Sequence, residues 1–505
     1  MVLLAALMGW MFDGLEMGLF PLVARPALRN LLPGAAESDI ARWFAVVTAG
    51  FLVGAATGGV LFGWLGDRIG RVRAMTLSVL TYALFSGLCG VATSASWVAV
   101  FRFIAALGMG GEWALGVALV MEIWPNKSRA LMAGLIGAAA NVGYFLIAVI
   151  GLGLGKSLET ISTWFAQIGM PPAWIDSLCG HGGWRLLMLI GATPALLTFF
   201  IRLFVPESER WQREQAEGAT SHWLPADLLG VLVGALGPIA IIYVWAAEFP
   251  TVVRTTVTGL GLMTAIVGYT FPVGQYLRRL AAQDPHSIDS VRATLTRMLL
   301  GASLAGVALL GTWGSTQSIP TWVDQLTGGK IPEAKAYTQM ASSGGAVLGT
   351  IIGALLGSVI GRRPTYVLLC LASLGSVFLL YQVTHEYGPG MLAVVFLVGT
   401  CTASFYGWLP LYLPELFRTR VRATAQGFSF NFGRILAAVG TLQMANLVKV
   451  FETASEPGTS PVVANLASQF GTGYPGACTT ISLVYLVGIG IIWLAPETKG
   501  RPLPD

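Results

Sequence analysis

The sequence predicts an all-α membrane protein: two six-helix bundles with two extra central helices, fourteen transmembrane helices in all. Three observations predict it. Charged residues are 11% of the 505-residue chain, against 55% apolar residues and 63 glycines. That is too little charge to cover a soluble particle of this size, so lipid must cover it. Apolar runs of the roughly 20 residues that a hydrocarbon core demands recur from end to end. Short loop motifs also repeat between the first and second halves of the chain.

The first run, 2–23, is too long for a signal-peptide core and lacks a charged lead and a small-residue cleavage site, so it counts as a span. Its start at residue 2 leaves almost no lead before the membrane, which sets the expectation of a true start further upstream. The runs 43–65, 74–94, 98–121, 130–154 and 184–205 complete a first bundle, residues 1–205. Two runs, 227–246 and 259–277, carry no central charge; Asp227 stands at an edge, and Glu248 and Arg254 lie between them. They are expected to form a peripheral hairpin within a cytoplasmic linker, residues 206–293. The last six runs, 294–314, 338–360, 364–384, 389–412, 423–446 and 475–495, form the second bundle, residues 294–505.

Loop charge sets the orientation. With the N-terminus in the cytoplasm, Arg68, Arg71 and Arg73 fall inside, as do Lys127, Arg129, Arg278, Arg279, Arg362 and Arg363. Arg418, Arg420, Arg422, Lys499 and Arg501 join them, as the positive-inside rule requires. Both termini are then cytoplasmic, and the expected location is the inner or plasma membrane. Trp43, Trp97, Trp184, Trp223 and Trp493 fall near span ends, where amphipathic rings favour the interface.

Several functions are excluded or disfavoured. The net charge of +5 is scattered over short loops and forms no stripe for nucleic acid. Cys89, Cys179, Cys370, Cys401 and Cys478 show neither metal spacing nor a paired framework, so no metal or cofactor is expected. No nucleophile with its base and no phosphate loop appears, which disfavours an enzyme. His181, His222, His286 and His385 all fall in loops, which argues against a histidine relay inside the membrane. The expected partners are a small-molecule solute, a proton and the bilayer, with the chain a monomer.

The internal repeat is specific. Glu122-Ile-Trp-Pro-Asn-Lys-Ser-Arg129-Ala, followed by Gly134, matches Glu415-Leu-Phe-Arg-Thr-Arg-Val-Arg422-Ala, followed by Gly427. Gly70-Arg71 matches Gly361-Arg362, and Pro206-Glu207-Ser208 matches Pro496-Glu497-Thr498. The common offset of about 290 residues is that of parallel repeats about an axis along the membrane normal.

Gly63-Trp-Leu-Gly-Asp67-Arg68-Ile-Gly70-Arg71, the two Glu-to-Arg loops and the closing Pro496-Glu-Thr-Lys-Gly500 resemble the signature loops of the major facilitator superfamily. Phe12-Asp13-Gly14-Leu15-Glu16 and Gly108-Met-Gly-Gly-Glu112-Trp, leading to Glu122-Ile-Trp-Pro125, resemble the sialate:proton symporter group. Aromatic-acid and metabolite:proton symporters share variants of these patterns. The resemblance implies proton-driven import of an organic anion, such as sialic acid or another sugar acid or carboxylate. In family members an acid of the first span pairs with an arginine of the fourth, a role that falls here to Asp13 and Arg102. It also implies a charge network that shuts the cytoplasmic side, at Asp67, Arg71, Glu122, Arg129, Glu207, Arg362, Glu415, Arg422 and Glu497. The second copy departs from the pattern, with Ser358 and Val359 in place of the Asp and Arg, so the network should be lopsided.

Charge inside the membrane is costly and points to function. Asp13, Glu16, Arg102, Glu112 and Arg434 are the deep charges. Asp13 and Glu16, three apart, share a helix face, whereas Arg102 and Glu112 are separated by about 15 Å along one helix and need partners elsewhere. Three acids face two arginines, leaving one carboxyl to bind and release a proton. Asp13 is the expected carrier, with Glu16 and Glu112 as further candidates. The plainer alternatives are a permanent helix-locking salt bridge for Asp13 and Arg102 and backbone bonding at a close crossing for Glu112. Arg434, in Asn431-Phe-Gly-Arg434, offers a planar fork to a carboxylate, or else partners a first-half acid. Trp10, Asn141, Tyr144, Asn431, Tyr406 and Trp408 supply rings and polar groups for a solute, with packing as the alternative for any single ring. Sodium coupling, neutral-sugar:proton symport and a non-transporting receptor on the same fold stay open as competing readings.

Overall fold

The computed structural model describes residues 2–124, 128–193, 204–283, 290–328, 330–331, 333–454, 456 and 460–504. Every regular element among them is helical. The chain opens with α1 (Val2–Leu31), α2 (Glu37–Ile69), α3 (Arg71–Cys89), α4 (Ala95–Ile123) and α5 (Arg129–Gln167). Helix α6 (Trp184–Ile190) begins the sixth expected span, whose residues 194–203 lie outside the described residues, as does Lys127 of the basic loop before α5. The hairpin is α7 (Leu228–Ala246) and α8 (Thr251–Gln283). After it come α9 (Val291–Thr316), α10 (Ala334–Ile360), α11 (Arg362–Val383), α12 (Pro389–Ala403) and α13 (Phe405–Tyr412). The last long elements are α14 (Arg422–Glu452), α15 (Tyr474–Ser482) and α16 (Val484–Ile491).

Among the described residues, twelve helices are long and apolar enough to cross a membrane, or thirteen if Thr419–Met444 and Asn446–Glu452, bent by 43°, form one span. Several elements outrun their expected spans, α1 reaching Leu31 and α8 covering Thr251–Gln283. Helix α5 runs on past 154 to Gln167, because no glycine or proline interrupts the segment from Lys156 until Gly169 turns the chain at φ +82°. The twelfth span runs through Pro389–Leu416 with its helical hydrogen bonding lapsing between α12 and α13, where the Ser404 hydroxyl donates back to the Thr400 carbonyl at 2.7 Å. Pro410 lacks the N–H that would bond the carbonyl four residues back, which loosens the same stretch.

Glycines set the helix spacing. A Cβ on Gly14 of α1 would stand 1.7 Å from the Ala140 carbonyl oxygen of α5, so only glycine permits that crossing. Gly70 and Gly361 join α2 to α3 and α10 to α11 at φ +111° and +106°, a region that side-chain-bearing residues avoid. Repeat symmetry governs the interface between halves: α2 packs along α14, and α5 packs along α10. The hairpin is tied to the bundle where the Tyr269 and Thr57 hydroxyls meet at 2.8 Å and to its own entry loop by Arg279 bonding Asp227. Its other face carries Leu229, Leu232, Leu236 and Val267, each more than 60% exposed, an apolar surface for lipid.

Candidate functional site

A cavity of about 150 Å³ lies between the halves, walled by α1, α4 and α5 on one side and α9, α10, α12, α13 and α14 on the other. From the first half come Trp10, Asp13, Trp113, Asn141 and Tyr144; from the second, Thr312, Trp313, Gln317, Tyr406, Phe430 and Arg434. Trp113 and Phe430 stack across the interface with ring centroids 3.7 Å apart and planes within 7°. On either side of that stack α4 and α14 are zipped, by the Gln426 amide donating to the Ala114 carbonyl at 2.6 Å nearer the Arg-rich loops and by the Asn431 amide donating to the Gly110 carbonyl at 3.3 Å on the far side. Towards the other end Ala49, Leu52 and Val53 of α2 pack on Ala437 and Ala438 of α14. The Tyr144 hydroxyl donates to Gln317 at 3.3 Å, and the Gln339 amide donates to the Tyr144 carbonyl at 3.3 Å.

The deep charges sort differently from the expectation. Arg102 bonds Glu16, not Asp13, and its guanidinium lies 4.4 Å from the Phe51 ring centroid. The reason is helix direction. Spans one and four run antiparallel, so Glu16, one turn further along α1, is level with Arg102 early in α4, while Asp13 is level with Glu112 late in α4. Asp13 and Glu112 are neighbours, with Tyr82 beside Glu112 and Arg434 facing Asp13. Asp13 and Arg434 belong to the cavity wall; Glu16, Arg102 and Glu112 stand behind it. Arg434 makes no ion pair within 4 Å among the described residues, its Nη1 has no hydrogen-bond partner, and its guanidinium carbon lies 5.4 Å from the Phe430 ring centroid. The indole N–H of Trp10, also in the wall, is likewise unmet.

Two of the expected solute residues stand elsewhere. Trp408 is not in the cavity wall and donates its indole N–H to the Arg362 carbonyl at 3.1 Å, on the face of α13 that packs against α11. The Asn431 amide is committed to the Gly427 and Gly110 carbonyls at 3.0 and 3.3 Å, in space left by Gly59. Asn141 and Tyr144 do line the cavity, although the Asn141 amide also donates to Gly137 at 2.9 Å.

The repeated loops converge on one end of the bundle. Asp67, bonded to Arg71, accepts from the Thr424 amide at 2.9 Å, the Thr424 hydroxyl at 2.6 Å and the Ala423 amide at 3.3 Å. A carboxylate of the first half thus sits on the N-terminus of α14 in the second. Arg71 also donates to the Thr419 carbonyl at 2.8 Å, and Arg422 reaches across to Glu122 at 2.9 Å. In the second copy Arg362 grips Glu415 with two bonds of 2.9 and 2.6 Å, and Arg129 approaches Glu415 at 3.8 Å. Glu207 accepts from the Arg71 and Val72 amides at 2.9 and 3.1 Å, and Glu497 from Arg362 and Arg363 at 3.0 and 3.1 Å. Ser208 donates to Glu122 at 2.5 Å as Thr498 donates to Glu415 at 2.6 Å. Burial works to raise the Glu497 carboxyl, but the amides of Arg362, Arg363, Lys499 and Thr498 outweigh it and hold the group below its ordinary value.

A family model described as Major Facilitator Superfamily matches residues 4–441. The chain belongs to the major facilitator superfamily. The cis,cis-muconate transport protein of Acinetobacter baylyi is 25% identical over 390 residues, covering 77% of this chain and 74% of that one. The inner membrane metabolite transport protein YgcS of Escherichia coli is 26% identical over 459 residues, covering 90% and 82%. A solved structure of the proton:xylose symporter XylE, bound to 6-bromo-6-deoxy-D-glucose, is 16% identical with a TM-score of 0.66 over 99% of this chain and 97% of that one. That likeness shows the fold. As a superfamily member the chain is a multi-pass membrane transporter, not an enzyme. The sialate subgroup finds no support in the names of these relatives.

Sequence reasoning passed over several wall residues of this superfamily member. Thr312 and Thr316, and likewise Trp313 and Gln317, stand four apart near the end of α9 and line the cavity together. A polar stripe at helical spacing inside an apolar span was a usable signal for them. Trp113 and Phe430 carried no such signal; only the meeting of α4 with α14 pairs them.

Proposed function

We propose that the protein is a proton-coupled symporter importing an organic anion by alternating access. What supports this reading above all is Arg434: a buried guanidinium in the wall of the central cavity, with an unmet donor and no ion pair within 4 Å among the described residues. A carboxylate would satisfy it, with the Trp10 indole N–H as a second donor. The rings of Trp10, Trp113, Phe430 and Tyr406 favour a planar or extended carboxylate, the class to which the muconate of the named relative belongs. Sialic acid and other sugar acids fall within the same anion class.

Charge counting gives the proton its place. With Glu16 committed to Arg102, the carboxyls of Asp13 and Glu112 face the single cation Arg434, so one of the two is uncompensated. Two adjacent buried carboxyls share a proton in preference to both ionising. Asp13, in the wall, is the carrier that solvent and solute can reach; Glu112 holds the alternative position. Protonation of the pair removes the negative charge that faces Arg434 and so favours a solute anion there, which ties the two ligands together.

In this reading the chain has fourteen spans, with 184–205 as the sixth, and divides at 1–205, 206–293 and 294–505. The Arg-rich end is cytoplasmic, both termini lie there, and the protein works as a monomer in the inner membrane. The ion pairs at that end form the cytoplasmic gate, closed in this conformation, with Asp67 on α14 as its central latch.

The test is ligand binding by purified protein, read as thermal stabilisation with cis,cis-muconate, sialic acid, glucuronate and xylose. Arg434→Gln is expected to weaken binding of the favoured carboxylate roughly 10- to 100-fold, the worth of a charge-assisted bond. Undiminished carboxylate binding in that variant, or xylose as the strongest ligand, would overturn the anion assignment.

A further inference from the structure

The wall of the central cavity is charged at one level and neutral at the next. Among the described residues that line it, Asp13 and Arg434 are the only charged ones, with the unmet indole N–H of Trp10 on the same side of the cavity as Asp13. Ala140 of α5 meets α1 at Gly14, next to Asp13, and Tyr144 follows one helical turn later, about 6 Å further towards the far end. There the lining is polar but uncharged: Tyr144 faces Gln317, with Thr316 beside it. The Thr316 hydroxyl is spent on the Thr312 carbonyl at 2.7 Å. Gln317, half-buried at the close of α9, accepts from the Tyr144 hydroxyl at 3.3 Å through Oε1. Its amide nitrogen has no hydrogen-bond partner among the described residues, so a donor stands free in the wall.

We propose that the solute is a monocarboxylate with an uncharged hydrogen-bond acceptor about one helical turn from its carboxylate, and that Gln317 selects it over a dicarboxylate. The inference rests on the reading of Arg434 as the carboxylate anchor and specifies the other end of the solute. Charge balance sets the limit. Once protonation leaves the Asp13–Glu112 pair without charge, Arg434 is the one charge at the wall, and it compensates one carboxylate. A second carboxylate would stand among Tyr144, Thr316 and Gln317 with no cation, at the desolvation cost of an unpaired charge. A carbonyl, ester or ring-nitrogen acceptor carries no such cost and takes the free N–H of Gln317. Tyr144 belongs to the first half and Gln317 to the second, so an acceptor held there is in reach of both halves at the far end of the cavity.

The experiment titrates the purified full-length protein with three carboxylates on one diene skeleton, read as thermal stabilisation. Trans,trans-muconate has a carboxylate at both ends, its monomethyl ester a carboxylate and an ester carbonyl, and sorbate a carboxylate and a methyl group. The ester is expected to bind about three- to tenfold tighter than sorbate, the worth of one hydrogen bond. It is expected to bind roughly tenfold or more tighter than muconate, whose second carboxylate meets no cation. Gln317→Leu should erase the advantage of the ester over sorbate, and Gln317→Arg, which adds a cation at that end, should make muconate the tightest of the three. Muconate binding wild type as tightly as the ester, an ester advantage that survives Gln317→Leu, or muconate no tighter in Gln317→Arg than in wild type would overturn the inference and leave Arg434 as a carboxylate anchor. Binding of none of the three would overturn it together with the anion reading on which it rests.

Discussion

At the residue scale, the deep charges divide into a bonded pair, Glu16 with Arg102, and a group of Asp13, Glu112 and Arg434 at or next to the cavity. Glu16 and Arg102 are 1% and 2% exposed and bonded to each other, outside the cavity wall. Removing one partner of such a pair strands the other charge in a dry interior, at a cost of about 3–5 kcal/mol, while removing both is far milder. Glu16→Gln is therefore expected to lower the unfolding temperature strongly, and the double variant with Arg102→Gln to regain most of the loss. A double variant no more stable than the single one would give the pair a different role. The sequence made all five deep charges legible, because charge within an apolar run stands out. Their partners were not legible. Which of two acids on one helix face lies level with an arginine depends on the direction and height of a second helix. The same limit applies to Asn431 and Trp408, whose side-chain N–H donors are spent on backbone carbonyls that only the packed helices bring near.

At the element scale, twelve or thirteen of the fourteen expected spans are shown among the described residues, legible from hydropathy because lipid imposes helix length on sequence. Their ends were not, where something other than lipid decides them. Helix α5 outruns its apolar run since no glycine or proline stops it before Gly169, and the hydrogen bonding of the twelfth span lapses at Ser404 with Pro410 close behind. Capping acts at this scale too. Glu497 takes the first amides of α11 as Glu207 takes those of α3, so each copy fixes the entry of its third helix with an acid from far along the chain. The amides hold the Glu497 carboxyl below its ordinary value of 4.5, so its contribution to stability is present at neutral pH and lost as the pH falls through the depressed value. Wild type is expected to be more stable than Glu497→Gln at pH 7, with the gap closing as acid is added. Because the group is only partly buried, the gap should also be modest. A gap that widened on acidification would reverse the assignment.

At the scale of the whole molecule, the halves are alike in scaffold and unlike in charge. Loop motifs, turn glycines and interface helices recur with the repeat, which is why the architecture could be read from sequence. Function departs from that symmetry. Asp13 and Glu112 belong to the first half and Arg434 to the second; the wall of the cavity between the halves carries one carboxyl, Asp13, and one cation, Arg434, with Glu112 behind Asp13. Among the described residues the Arg-rich end is held by buried ion pairs and helix caps, and the far end by longer hydrogen bonds at Tyr144 and by apolar packing of Ala49, Leu52 and Val53 on Ala437 and Ala438.

The most direct measurement of proton coupling is uptake of radiolabelled carboxylate into proteoliposomes with and without an inward proton gradient, comparing wild type with Asp13→Asn. The account predicts that the gradient drives accumulation by wild type, and that the variant exchanges solute across the membrane but no longer accumulates it. Accumulation by Asp13→Asn that still follows the pH gradient would contradict it.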